Sequence, residues 1–196
     1  IENNEQEYKN LGTIIKNARE EGEIDDNKII DRTRNRIRKS CWNGLKDFMS
    51  TVEKSYCREK WTTQPQVIEA WLEKDALIGV VEPITDKYDI LLYTCKGYCS
   101  HSGLVEANNR FNNREQQTII LYLGDHDPSG LNMPDYITTK MHKVFNCNSF
   151  RLERIALTID QMSKYNTPLN QVKMSDKRAP DYVSKYGDKC AELDAL

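Results

Sequence analysis

The sequence predicts an α/β fold, a doubly wound, mostly parallel four-stranded sheet flanked by helices, with an N-terminal helical segment ahead of it. Three observations predict it. From residue 61 onward, short apolar runs alternate with helical patterns. No hairpin turn signal separates those runs, so the strands are expected to be parallel. Before residue 61, apolar residues recur only at helical spacing. A chain of 196 residues has room for one medium domain and a small helical module, and the division is set at 1–60 and 61–196.

In the first part, Leu11, Ile14, Ile15 and Ala18 mark one amphipathic helix, which Gly22 is placed to stop. A shorter polar segment follows. Trp42, Leu45, Phe48, Met49 and Val52 mark another helix within 40–56, before Pro65 ends regular structure in WTTQPQ. The second part reads as strand 67–73, helix 75–84, strand 89–94, helix 102–114, strand 118–123, helix 132–145 and strand 149–157. Helical segments are expected from there to the end.

Composition narrows the function classes. With 38% hydrophobic and 30% charged residues, the chain reads as a soluble globular protein. No apolar stretch approaches the ~20 residues of a membrane-crossing helix, and no signal peptide opens the chain, so a cytoplasmic location is expected. A net charge of −2 gives no global basic field. Polyanion contacts must therefore be local, and the basic run Arg32, Arg34, Arg36, Arg38 and Lys39 is either such a patch or a solvated face. The six cysteines are too dispersed for a disulfide scaffold and read as reduced thiols. Cys95 and Cys99 form a CxxxC, yet no second pair stands at zinc-finger spacing.

The stretch carrying chemistry is LYLGDHDPSG, residues 121–130. An apolar strand ends in Asp125 and Asp127, two like charges that repel unless a cation or a shared proton compensates them. Residues two apart in an extended segment point the same way, so both aspartates can face one ion while His126 faces elsewhere. Ligand groups in such a sheet gather at the carboxyl ends of the strands. Glu73, closing the first strand, joins the two aspartates there as a third acid.

LEKDAL, KGY and YLGDHDPSG, taken together, resemble the three signature elements of the Toprim domain: a glutamate after the first strand, a glycine after the second and a D-x-D after the third. The detail is most similar to the A subunit of type IIB DNA topoisomerases (topoisomerase VI) and to the meiotic double-strand-break proteins. The terminal KCAELDAL resembles the K-x-E-x-x-A-L element of that group. The wider pattern of AREEG, DRTR, GDHDPSG, KMSDKRAP and ELDAL is also similar to uncharacterised bacterial and mobile-element proteins carrying this domain. Cys95 and Cys99 depart from the pattern, standing where it has glycine and proline.

The resemblance covers about residues 61–196 and implies a Toprim-like domain, with 1–60 the remainder of a truncated winged-helix region. It also implies Mg²⁺ held by Glu73, Asp125 and Asp127, DNA as partner, a homodimer, and an ATPase partner subunit. Lys74, Lys96 and Arg110 are the expected DNA contacts. In that family an activated tyrosine attacks the phosphodiester. Tyr8 and Tyr56 lack the family's R-x-x-Y-Y context, so the nucleophile is expected before Ile1. Mg²⁺ suits such a site because it takes one or two carboxylates plus substrate phosphates and keeps several waters.

Other readings are weighed beside this one. The same acids could serve hydrolysis by water, or persist in a non-catalytic DNA-binding or assembly module. An EF-hand reading fails because Tyr136 stands where the bidentate glutamate belongs. An aspartyl-phosphatase reading is weakened by the two strands that precede DHDPS. Asp176, Lys177 and Arg178 are secondary DNA-contact candidates, and Glu192 and Asp194 either reach the acids or ride on a terminal amphipathic helix.

Overall fold

Two apolar runs, QVIEAWL and QTIILYL, form the centre of the sheet as strands β1 (Gln66–Leu72) and β3 (Gln117–Leu123). They pair in parallel from Gln66↔Gln117 to Leu72↔Leu123. Central strands of a parallel sheet are covered on both faces, which is why both read as nearly continuous apolar runs rather than as alternation. β2 (Leu91–Thr94) pairs with the other side of β1, and β4 (Phe150–Ala156) with the other side of β3. The result is a four-stranded, all-parallel sheet in the order β2-β1-β3-β4. In the computed structural model the described residues are 5–25, 28–29, 39–56 and 59–195. Arg32, Arg34, Arg36 and Arg38 lie outside them.

Contacts divide the chain into two units, Ile1–Tyr56 and Cys57–Leu196. The first contains α1 (Glu5–Glu20) and α2 (Leu45–Ser55). Gly22, in the left-handed region at φ 76°, follows α1 as expected. No residue of α2 is buried, and the Trp42 ring packs edge-on against Phe48 at 4.9 Å.

In the second unit, α3 (Ile78–Tyr88) connects β1 to β2, α4 (His101–Asn112) connects β2 to β3, and α5 (Pro128–Phe145) connects β3 to β4. α6 (Ile159–Tyr165) and α7 (Ala179–Tyr186) follow. The main core packs Leu104, Ala107 and Phe111 of α4 and Met133, Ile137 and Met141 of α5 with Trp71, Ile120, Tyr122 and Phe150 of the sheet. A second cluster joins Leu157, Ala191 and Leu193 to Leu77, Leu123 and Met162.

Two expectations change. Helical segments do follow β4, as α6 and α7, but they do not fill the remainder: β5 (Asn170–Gln171) and β6 (Lys189–Cys190) form a short antiparallel ribbon, and Leu193–Ala195 is a single 3-10 turn. Cys190 is buried in a strand, Ala191 in a β-bridge and Leu193 in the 3-10 turn, rather than as one face of an α-helix. The α5 helix also starts four residues earlier than expected, because Pro128 occupies the first turn, where a missing N–H costs nothing, and Asp127 caps it. No described helix is long and apolar enough to cross a membrane.

Among the described residues, the core contains one charged group at full burial. Glu69, in mid-β1, accepts from Arg110 Nη2 and Nε at 2.9 and 3.2 Å, from Arg114 Nη1 at 3.0 Å, and from Trp71 Nε1 at 3.0 Å. Arg110 is therefore occupied by an internal carboxylate. Removing one partner of a buried pair strands the other charge. Glu69→Ala is expected to lower unfolding free energy by about 3–5 kcal/mol in urea titration, and Glu69→Gln by less, since it keeps the shape and part of the hydrogen bonding.

Candidate metal and phosphodiester site

The chain leaves β1 to one side to form β2 and returns to the other side to form β3, so the winding direction reverses between β1 and β3. A crevice at the carboxyl ends of these two strands is where an open α/β sheet binds ligands. Glu73 follows β1 directly, and Gly124-Asp125-His126-Asp127 follows β3. Backbone bonds extend the sheet past its formal ends: Glu73 N–H donates to Leu123 O at 3.0 Å, and Gly97 N–H to Glu73 O at 3.0 Å. The loops after β1, β2 and β3 therefore meet at one edge.

Glu73 Oε2 accepts the Asp125 N–H at 2.9 Å. Burial raises the Glu73 pKa from its ordinary 4.5 to about 7, and the Asp125 charge adds to this, while the Asp125 N–H bond opposes it. Asp125 is buried too. Its Oδ1 accepts from Leu193 N–H at 2.9 Å and its Oδ2 pairs with Lys74 Nζ at 2.9 Å. Burial raises its pKa, and the Leu193 and Lys74 bonds offset part of that. Lys74 Nζ also meets Glu192 Oε2 at 2.9 Å and Asp194 Oδ1 at 3.4 Å. Burial acts to lower the Lys74 pKa, but the bonds to Glu192 and Asp125 overcome it, so the ammonium form is held.

Asp127 spends Oδ1 on capping α5, accepting from Gly130 N–H at 2.6 Å and Ser129 Oγ at 2.8 Å. Its Oδ2 has no hydrogen-bond partner among the described residues. His126 turns away, as its position between the aspartates implies. Its Nδ1 lies 2.8 Å from the Tyr182 hydroxyl, and its backbone bridges Ala191 through bonds of 2.9 and 3.0 Å. Burial and then the Arg154 charge lower its pKa, so the neutral ring is favoured.

Beneath the loop lies Arg154, which strand spacing alone did not single out. Its Nη atoms donate to the carbonyl oxygens of Gly130 at 2.8 Å, Gly124 at 2.9 Å, Asp125 at 2.5 Å and Leu157 at 3.2 Å. The Gly130 carbonyl is available because Pro134, four residues on, has no N–H to give it. A register shift between β3 and β4 at Tyr122/Leu123 places an extra β4 residue beside Arg154, the kind of bulge that re-aims a side chain near a site. The loop is tight elsewhere: a Cβ on Gly124 would stand 2.5 Å from Glu73 Oε2, and one on Gly130 would collide with the Asp125 carbonyl oxygen.

The structure thus brings Glu73, Asp125 and Lys74 together, with Asp127 at the adjoining helix start. Glu192 and Asp194 reach the acids through Lys74 rather than riding on a helix. Lys96, at φ 54° in the exposed turn after β2, pairs with Asp75 at 3.1 Å, and Arg110 serves Glu69 within the core. Asp176 is bound to Arg178 at 2.8 Å. The thiols at Cys41, Cys95, Cys99, Cys147 and Cys190 are free.

Among the described residues no three Cys, His, Asp or Glu side chains form a ready metal cage. The donors fit a different type of site. Hard carboxylate oxygens, one of them unengaged, suit an ion that takes one or two carboxylates and fills its remaining positions with water and phosphate. No protein-family model matches the chain, and no curated protein matches it.

The Glu73 titration is directly measurable. Carbon-13 NMR of the side-chain carboxyl is expected to give a midpoint of about 7, falling in Asp125→Asn as a neighbouring charge is removed. Folding favours the protonated form, so this contribution is complete below about pH 4.5 and is lost as pH rises through about 7. Urea stability of the wild type should therefore fall relative to Glu73→Gln across that window. Gly130→Ala is expected to cost about 1–3 kcal/mol in the same assay, from steric overpacking.

Proposed function

We propose that this chain is a Mg²⁺-dependent strand-cleaving module that acts on DNA, in the manner of the Toprim domain of type IIB topoisomerase-like proteins, in the cytoplasm. The observation that carries the proposal is the meeting of Glu73 with the Asp125–Asp127 loop at the switch point between β1 and β3. Acids placed at a sheet edge for no chemical purpose would be neutralised by neighbours. Here Asp125 is neutralised by Lys74, whereas Glu73 has no cationic partner in direct contact among the described residues.

Each group then has a task. Asp127 through its unengaged Oδ2, and Asp125 beside it, would hold the ion, with Glu73 at its edge. When bound, Mg²⁺ supplies positive charge to a phosphoryl oxygen and to the leaving oxygen. Glu73, its pKa raised to about 7, is divided near neutral pH between a carboxylate that can join the ion and an acid that can give its proton to the leaving 3′ oxygen and recover it from solvent. Lys74, held as an ammonium, can shift from Glu192 and Asp194 toward a phosphate oxygen. Arg154 fixes the loop backbone, so the two aspartates need no reorganisation when the phosphodiester arrives. A tyrosine supplied ahead of Ile1 would make the attack transesterification, and a water molecule would make it hydrolysis. A homodimer and an ATPase subunit belong to the same proposal.

One observation favours a second reading, that of a non-catalytic DNA-binding or assembly module: the Lys74 ammonium already sits among Asp125, Glu192 and Asp194, where a cation is wanted. Isothermal titration with Mg²⁺ separates the two. Under the catalytic reading, Asp127→Asn and Glu73→Gln each weaken Mg²⁺ binding about tenfold or more, and EDTA or either substitution abolishes nicking of supercoiled DNA. Unchanged Mg²⁺ affinity in both variants would establish the non-catalytic reading. Protein attached to the broken DNA ends would assign the attack to a tyrosine, and free ends would assign it to water.

A further inference from the structure

A groove of about 410 Å³ lies beside the acidic loop, within the size range of small-ligand sites. Its wall begins at Pro128, the residue after Asp127, and runs between the first turns of α5 and the length of α7 past Asn132, Arg178, Lys185 and Tyr186. The lining is planar and polar rather than greasy. The Tyr186 ring, 40% exposed, is supported from within by His126, edge-on at 5.0 Å, and by Tyr182 at 5.1 Å.

Arg178 is held in place by Asp176 at 2.8 Å, and its guanidinium lies 5.4 Å from the centre of the Tyr98 ring. Asn132 Oδ1 accepts from the Tyr98 hydroxyl at 2.7 Å and from Arg178 at 3.4 Å. The amide nitrogen of Asn132 is left without a protein partner among the described residues. Asp135 and Asp181 add acceptors, so the groove's two cations are matched by two anions.

A groove with balanced charge does not select a polyanion. Its aromatic face, amide donor and carboxylate acceptors instead match a flat ring with mixed donors and acceptors on its rim. We propose that it receives one unpaired nucleobase of a single strand whose backbone continues to the Asp125–Asp127 loop, with Lys185 at the sugar-phosphate. This rests on the strand-cleavage reading only for that continuity. A base offers a π-face for Tyr186 and Arg178 and a polar edge for Asn132. Pro128 joins groove to acids within one residue, so a strand held at one is delivered to the other.

The test is fluorescence anisotropy of the 196-residue chain with a labelled 12-nucleotide single strand in EDTA, beside an otherwise identical abasic strand. The wild type is expected to bind the intact strand roughly tenfold more tightly than the abasic one, within the range that stacking of one base supports. Tyr186→Leu, which keeps an apolar group against His126 and Tyr182, should erase that difference. Lys185→Ala, on the exposed side of α7, should weaken both strands and reduce the salt dependence by about one charge. Tyr186→Leu is also assayed for Mg²⁺-dependent nicking of supercoiled DNA, so loss of base binding and loss of cleavage are separately visible. Equal binding of intact and abasic strands, or an unaltered preference in Tyr186→Leu, overturns the proposal. Competition by free nucleoside monophosphate as effective as by the strand would assign the groove to a free nucleotide and overturn the continuity with the acidic loop.

Discussion

One half-buried guanidinium organises this protein's sheet edge. Arg154 holds four backbone carbonyl oxygens and no carboxylate. Carbonyl dipoles orient the group and take up its Nη donors without cancelling its charge, while its buried Nε finds no partner among the described residues, so its field still reaches the acids above. The loop's path follows from this contact. Gly124 and Gly130 are small because Glu73 and the Asp125 backbone approach them closely, and Pro134 leaves a carbonyl that the guanidinium takes up. Remove that cation and the Gly124–Asp127 turn loses both its anchor and part of its compensating charge.

Above the loop, negative charge is handled unevenly. Asp125 has a lysine and a backbone N–H, Asp127 has a helix start, and Glu73 has one backbone N–H alone. Uneven compensation sets neighbouring carboxyl groups apart, and burial with the Asp125 charge raises Glu73 to about 7. A third buried acid, Glu69, shows the opposite solution within β1. Two arginines and an indole satisfy it, and it stabilises the α4 side of the core.

The architecture and the acidic positions were legible in the sequence because both depend on local pattern. Continuous apolar runs announce buried parallel strands, and acids at their ends announce a sheet edge. Partnership across the fold was not legible. Arg110 looks like any surface arginine until α4 sets it over Glu69, and Arg154 looks like the polar half of an alternating strand until a bulge turns it under the loop. One signal was present and underused: Asp followed by Pro at a helix start marks an N-cap, which fixes both the beginning of α5 and the first duty of Asp127. The terminal segment misled because Leu193 and Leu196 share helical spacing with their neighbours, whereas an antiparallel bridge to His126 decides its conformation.

The Lys74–Glu192 contact spans 118 residues of chain, and the Asp125–Leu193 bond spans 68. Contacts this distant in sequence require long loops to close before they yield any stabilisation. The sheet can gather from β1, β2 and β3 first, while the acidic edge must wait for the arrival of Ala191 and Leu193. During synthesis, therefore, the acids lack the Glu192 and Leu193 contacts until those residues have emerged, well after β1 and β3 are available to pair.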